Sequence, residues 1–599
     1  MELNNEKLMF LGLALAGCYI VSLISTALQR GLREISGPWI AKFTPFWRVG
    51  FVWEGNAHIN YRKLHDKYGP IVRTAPNVVD ISDPAVIPSI YAIGSKFVKS
   101  AFYNTLAVIH DDKLMHSLFS TMDPEEHKAL KRPVAQKFSM TSIRTLEYLV
   151  DPCSEMFITS MQELEGQVID LGAWVQWYAF DVIGAITFSR RFGFMENRKD
   201  VNDVIHGIET GLWYAGLVGQ VPSLHWGLLG NITFRRFLAK VLPGFKDPIT
   251  IVTDMVLEQI EDYDSKSPAT DRADFLAYFR RQQPSTGVQM SSRELMNHLM
   301  NNLLAGSDTT AISLRAVFYY IIQDKRVYQT LQREIDEAQK LGKLSSVITY
   351  AESLQLEYLQ LCMKEALRMH PGVSYPLERV VPQGGANLCG TRLPAGTVVG
   401  VNAAVIHRNR DIFGEDADQF RPERWICDER KIKEMDRNLL TFGAGARTCI
   451  GKNISIMEVG KFVPQILRAF DLEWASSEPE WQVKTYCKLR RKPGPPKRFL
   501  SASRPTPEAS LSWLSDAQTS ILVGQESSLP PFLHRLMDNE RAVSDLSRFV
   551  GYPMESTLVN GDFEMPSLNF PSLGFSPGRM LSDATFDSPE LSPEVEEYL

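Results

Sequence analysis

Cysteine is scarce in this chain: seven in 599 residues, an odd number, none of them closely paired. That argues against a disulfide framework and against CxxC-type zinc. It fits a reducing compartment in which one cysteine has a task of its own. A charge excess is also missing, since 64 basic and 70 acidic residues leave −6 and no overall pull toward nucleic acid. No segment recurs with a fixed period, which argues against solenoids and propellers. Apolar residues, in contrast, make up 44% of the chain, enough for a large buried core. Length alone suggests several domains at roughly 150 residues each.

The two ends depart from this average. Residues 8–28 (LMFLGLALAGCYIVSLISTAL) carry no formal charge and are long enough to cross a bilayer as one helix. Arg30 and Arg33 follow, so the positive-inside tendency puts the remaining chain on the cytosolic side. A cleaved signal has a shorter apolar region, so residues 1–30 read as an uncleaved membrane anchor. After Leu500 there is no lysine, and Ser plus Pro account for 27 of the last 99 residues. Five Arg stand there against 15 Asp plus Glu, a net −10, which leaves +4 for the first 500 residues. Such a segment rarely builds its own core, so 501–599 reads as a disordered acidic tail with short helical clusters at 511–522 and 532–550.

Between the ends, periodicity predicts helices near 123–149, 201–217, 294–322 and 325–341. Short extended patches with turn signals lie at 71–82, 386–393 and 397–401. This is a mainly α body with small β-sheets (α+β) over residues 31–500, without regular βαβ alternation.

The strongest chemical signal is Phe442-Gly443-Ala444-Gly445-Ala446-Arg447-Thr448-Cys449-Ile450-Gly451. Its glycines allow tight turns and close approach to a bulky planar ligand. Cys449 precedes an apolar periodic run, 450–462, that reads as a helix start, where dipole and free N–H groups favour a thiolate. Arg447 could pair with an acidic group of the ligand. A dinucleotide loop is the competing reading, but Thr448 stands where the third glycine of G-x-G-x-x-G belongs. The other cysteines read as small buried hydrophobes.

The run resembles the haem-binding loop of the cytochrome P-450 monooxygenases, F-x-x-G-x-R-x-C-x-G, at every fixed position. Three further motifs of that family are present in order. Glu365-Ala366-Leu367-Arg368 matches E-x-x-R, and Phe420-Arg421-Pro422-Glu423-Arg424-Trp425 matches its P-E-R-F/W segment. The resemblance implies that Glu365, Arg368 and Arg424 form a buried structural network behind the haem loop. Ala305-Gly306-Ser307-Asp308-Thr309-Thr310 matches the A-G-x-D/E-T-T run that kinks the family's central helix over the haem. A glycine followed by acid and alcohols is unfavourable inside a helix, which itself marks function. The resemblance implies that Asp308 and Thr309 are the catalytic residues that deliver protons for dioxygen cleavage.

Softer matches follow. Arg379, after Tyr375-Pro376-Leu377-Glu378, matches the arginine that contacts a haem propionate, and His407 matches a position near the propionates in some members. The helix W-x-x-x-R is altered: His127 stands for Trp, Lys131 falls at the Arg position, and Arg132 is next to it. Either cation can neutralise a propionate, and only Arg offers a planar fork. Phe102–Ile109, Leu303–Ala305 and Val373–Tyr375 correspond to substrate-enclosing segments. Two glycosylation sequons, at Asn231 and Asn453, are set aside because a cytosolic catalytic domain would not meet that machinery.

The resemblance implies a membrane-anchored haem b enzyme with Cys449 as the axial iron ligand. Phe442, Arg447, Arg379 and Lys131 or Arg132 would complete the cofactor site. It implies hydroxylation or O-demethylation of a lipophilic small molecule at the cytosolic face of the endoplasmic reticulum membrane, with a single-pass anchor. No flavin or NADPH fingerprint is visible, so electrons would come from an NADPH–cytochrome P-450 reductase, with cytochrome b5 as a candidate second donor and no nucleic-acid partner. The flavour of the sequence is similar to fungal members of the pisatin demethylase type, which points to secondary metabolism or detoxification. Two rivals remain: a haem-thiolate isomerase or dehydratase, and a non-catalytic haem-binding interaction protein.

Overall fold

The computed structural model describes Gly17 and residues 20–503, except 242–247, 267–271, 282–289, 476–482, 486–488 and 492–498. Most of the expected anchor, and the tail beyond Ser503, lie outside the described residues. A helix occupies 20–27, and no described helix is long and apolar enough to cross a membrane.

The described body is mainly helical, with small sheets. Helices α1 (Phe46–Trp53) and α2 (Ala57–Tyr68) lead into the hairpin β1 (Ile71–Ala75) and β2 (Val78–Ile81). The two-residue strand β3 (Val98–Lys99) follows, and then α3 (Pro124–Lys131). The helix expected over 123–149 is therefore interrupted. Pro133 has no N–H to continue α3 past Arg132, and Ser139 caps a separate short helix, Met140–Arg144.

Helix α4 (Leu171–Phe188) is apolar on nearly every side and is buried along its length, as such a helix must be. It lies against α6 (Ser292–Gln323), after α5 (Val204–Val218). The start of α6 is set by a capping box in which Ser291 Oγ accepts from Glu294 N and Glu294 accepts from Ser291 N. A Cβ at Gly306 would come within 2.7 Å of Ile183, so glycine lets α6 and α4 approach closely there. Helix α7 (Glu357–Met369) carries the E-x-x-R pair.

Strands β4 (Arg379–Val380) and β5 (Val398–Val401) complete a five-stranded sheet in the order β1-β2-β5-β4-β3. Its register sets Lys99 opposite Arg379, Arg379 opposite Val399, and Gly400 opposite Asp80. The last long helix, α8 (Lys452–Ala469), starts three residues after Cys449. It packs against α6, and its Phe462 stacks on Tyr178 of α4 at 3.9 Å between ring centroids. The strand Phe470–Trp474 then pairs with Phe499–Ser503, so the folded body runs slightly past residue 500.

Candidate cofactor site

The loop before α8 closes on itself: Cys449 N donates to Phe442 O at 2.8 Å, and Thr448 N donates to Gly445 O at 3.0 Å. Gly443 and Gly445 both have positive φ, 73° and 62°. At Gly445 any Cβ would overlap the Tyr91 carbonyl oxygen, so the residue is required by space as well as by conformation. Tyr91 ties this loop to the sheet, because its hydroxyl donates to Leu377 O at 2.7 Å and accepts from Val401 N at 3.0 Å. Cys449 itself is exposed and forms no disulfide.

Beneath this loop the E-x-x-R network is fully formed. Glu365 accepts from Arg368 Nε (2.8 Å), Arg424 Nε (3.1 Å), Trp425 Nε1 (3.0 Å) and Arg421 N (3.1 Å). Glu365 and Arg368 are 0% exposed. Arg368 also donates to the carbonyls of His407, Ala417 and Gln419, so the network stitches α7 to the segment that precedes the loop.

His407 belongs to this brace and does not project toward the cations described below. Its Nε2 accepts from Leu440 N at 2.8 Å, which leaves Nδ1–H to donate to Arg368 O at 2.9 Å. Both ring nitrogens are engaged within the protein. Burial, reinforced by Arg368 and Arg408, holds its pKa down at about 3, so the ring is neutral.

The remaining cations gather on one side. Arg447 donates to Thr121 O (3.1 Å) and Asp123 O (3.3 Å), and Arg379 to Glu378 O (2.8 Å). Directly across the strand pair from Arg379 stands Lys99, a residue that sequence reasoning missed because it belongs to no motif. Lys99 is 6% exposed, its Nζ lies 4.1 Å from the Tyr103 ring centroid and 4.5 Å from that of Phe119, and it donates to Phe119 O. Burial, Arg379 and Arg447 push its pKa well below the ordinary lysine value. Burial and then Arg379 bring Arg447 down to about 10. Burial, with Arg447, Lys131 and Lys99, brings His127 down to about 4.

Lys99, Arg379 and Arg447 form no ion pair among the described residues, so the site is positive, with Asp123 and Glu126 acting on Arg447 only at longer range. Lys131 is close enough to act on His127, whereas Arg132 is exposed.

The run Ala305–Thr310 lies inside unbroken helix. Thr309 Oγ1 donates to Ala305 O at 2.5 Å, Ser307 Oγ to Leu303 O at 2.7 Å, and Ser313 Oγ to Thr309 O at 3.0 Å. Ala305 is exposed in a helix that is otherwise largely buried, and Thr309 shares its face at i+4. Asp308 is turned elsewhere: it is buried and accepts from Gln176 Nε2 of α4 at 3.3 Å, while Arg315 donates to Gln176 Oε1. The structure therefore separates the two expected proton carriers onto different sides of α6. Among the substrate-segment residues, Leu304, Ala305 and Val373 are open to varying degrees, while Leu303 and Tyr375 are core.

These features suit a flat, bulky group bearing an iron and two carboxylates. An exposed cysteine on a glycine loop could ligate the metal, and a cluster of cations without ion-pair partners among the described residues could hold the anions. Among the described residues no group of three or more His, Cys, Asp or Glu could hold a bare ion.

Comparison with known proteins agrees. Residues 39–497 match the family model for cytochrome P-450. The chain is 37% identical to the cytochrome P-450 monooxygenase cicH of Emericella nidulans over 471 residues, 78% of this chain and 93% of that protein. It is also 37% identical to the monooxygenase gsfF of Penicillium aethiopicum, over 76% of this chain and 91% of gsfF. A third relative, the monooxygenase mpaDE' of Penicillium brevicompactum, is 37% identical over 75% of this chain but only 53% of its own greater length.

Proposed function

The chain belongs to the cytochrome P-450 family, and from that premise we propose a haem-thiolate monooxygenase in which Cys449 binds the iron. The family assigns it to the oxidoreductases that incorporate molecular oxygen. The bound group, which we take to be haem b, supplies dioxygen activation, favoured by thiolate donation. The observation that supports the residue assignment is the gathering of Lys99, Arg379 and Arg447, none of them in an ion pair among the described residues, near the loop that bears Cys449.

Arg447, Arg379 and Lys99 neutralise the propionates, with Lys131, rather than the exposed Arg132, as the cation from α3. Phe442 closes the loop through its carbonyl bond to Cys449 N. Glu365, Arg368, Arg424 and His407 hold that loop from behind without touching the reacting atoms. Thr309 Oγ1 handles protons at the open face of α6. Asp308 supplies them from the buried side, where its carboxylate accepts from Gln176.

The substrate is a lipophilic small molecule of fungal secondary metabolism or detoxification, hydroxylated or O-demethylated. This reading is supported by the apolar segments beside Ala305 and by the fungal relatives. Electrons come from an NADPH-dependent reductase, with cytochrome b5 as an additional donor. Residues 8–28 anchor the body to the cytosolic face of the endoplasmic reticulum.

The test is the reduced, carbon-monoxide-treated full chain. The expected result is the red-shifted Soret band of thiolate-bound haem, lost in Cys449→Ser and kept in Cys427→Ser, whose cysteine is also exposed. Equal behaviour of the two variants would sink the assignment. Product formation without reductase and NADPH would favour the isomerase or dehydratase reading.

A further inference from the structure

On the side of the sheet away from Lys99 and Arg379, a second polar cluster is sealed inside the protein. Alternation along paired strands sends Ser100 and Glu378 to the opposite face from Lys99 and Arg379. There Glu378 accepts from Arg48 at 2.7 Å and from Ser100 Oγ at 2.6 Å. Arg48 comes from α1, Tyr61 from α2, Thr74 from β1 and Asp80 from β2, all essentially buried. They lie close enough that Arg48 and Glu378 act electrostatically on both Asp80 and Tyr61.

This cluster is not satisfied by the protein. Neither carboxylate oxygen of Asp80 has a hydrogen-bond partner, and nor do Tyr61 Oη, Thr74 Oγ1 or Arg48 Nε. The Thr74 hydroxyl lies beside Asp80, and Arg48 beside Tyr61 Oη, without either pair reaching hydrogen-bond geometry. Each orphaned buried group costs roughly 1–3 kcal/mol, more when charged, so four together are not tolerated in a dry interior.

We propose that Arg48, Tyr61, Thr74, Asp80 and Glu378 enclose a hydrated site, in which internal water bonds the Asp80 carboxylate to the Arg48–Glu378 pair behind Arg379. The donor and acceptor inventory selects water over other small ligands. Arg48 Nε–H needs an acceptor, the Asp80 oxygens need donors, and the two hydroxyls can serve as either. A monovalent cation would suit Asp80 but would face the Arg48 guanidinium and leave Nε–H unpaired. An anion would face Asp80 and Glu378. Water both donates and accepts, and polar cavities with two to four partners are where buried water is found.

The elevation of Asp80 to about 7, caused first by burial, is consistent with a carboxyl lacking protein donors. Through Glu378, the site would steady the strand that carries Arg379. The inference is independent of the iron ligand, so failure of the Cys449 assignment leaves it standing.

The test is a high-resolution crystal structure of the full chain and of two variants. The expected result is solvent density roughly 2.7–3.2 Å from an Asp80 oxygen and from Arg48 Nε, the ordinary hydrogen-bond range. Asp80→Asn keeps that density and Asp80→Leu loses it. Absence of density in the natural chain, or its unchanged presence in Asp80→Leu, overturns the proposal. If Asp80→Leu does not fold, the natural chain and Asp80→Asn carry the test. In parallel, the melting temperature is measured in sodium, potassium and tetramethylammonium chloride at equal ionic strength. No shift is expected, and a rise confined to one small cation would replace water by that ion.

Discussion

Lys99 and Arg379 stand directly opposite each other on antiparallel strands, both nearly buried and without a carboxylate partner among the described residues. Like charges in that relation are destabilising, and under the proposed function a propionate held between them and Arg447 would relieve the repulsion. Lys99→Met should stabilise the haem-free protein while weakening haem retention. Loss of one charge-assisted bond corresponds to about 10- to 150-fold in affinity. Lys99→Arg should retain most of it. Transfer of haem to a competing acceptor protein measures this, and unchanged transfer from Lys99→Met would remove the lysine from the site.

Gly445 and Gly451 should respond differently to alanine, although both belong to the loop motif. A side chain at 445 meets the Tyr91 carbonyl and a positive φ, whereas at 451 its nearest neighbour outside the adjoining residues is Cys449 Sγ at 3.9 Å. Gly445→Ala should abolish the thiolate-haem band or the folded protein itself. Gly451→Ala should keep both, as the carbon monoxide spectrum and yield will report.

His407 is neutral in the folded protein, with a pKa of about 3 against an ordinary 6.5. The unfolded chain therefore binds a proton there between those values, and stability falls as pH drops from about 6.5 toward 3. His407→Phe should cost roughly 1–3 kcal/mol at neutral pH by stranding Leu440 N–H and Arg368 C=O. It should also make the acid limb of the denaturation midpoint shallower. Other histidines, including buried His370 at about 3 and half-buried His58 at about 4, keep that limb from vanishing.

Asp80 carries the opposite sign. Its folded pKa of about 7 lies above the ordinary 3.8, so the folded protein holds a proton that the unfolded chain releases. Its contribution is complete below about 3.8 and declines as pH rises to 7, by a few kcal/mol in order of magnitude. Asp80→Asn should remove this decline, making the variant the more stable protein at pH 8. Parallel pH profiles of the two proteins would contradict the linkage.

The sequence alone determined what is local or periodic. The loop 442–451 is a contiguous run of spaced glycines, arginine and cysteine, and E-x-x-R lies on a single helix face, so both could be read directly. The long central helix was also legible over 294–322, because its apolar pattern persists through the glycine and alcohols. The single helix expected over 123–149 was not, since Pro133 and the Ser139 cap outweigh its periodicity. Only the tertiary structure decided which residues meet across the chain. Lys99 is brought to Arg379 by sheet register, His407 is claimed by Leu440 and Arg368, and Asp308 is turned from Thr309 toward Gln176. The orphaned polar atoms around Asp80 likewise belong to four separate elements. The physical reason is that pairing and burial depend on contacts between distant segments, and no short stretch of sequence encodes its partner.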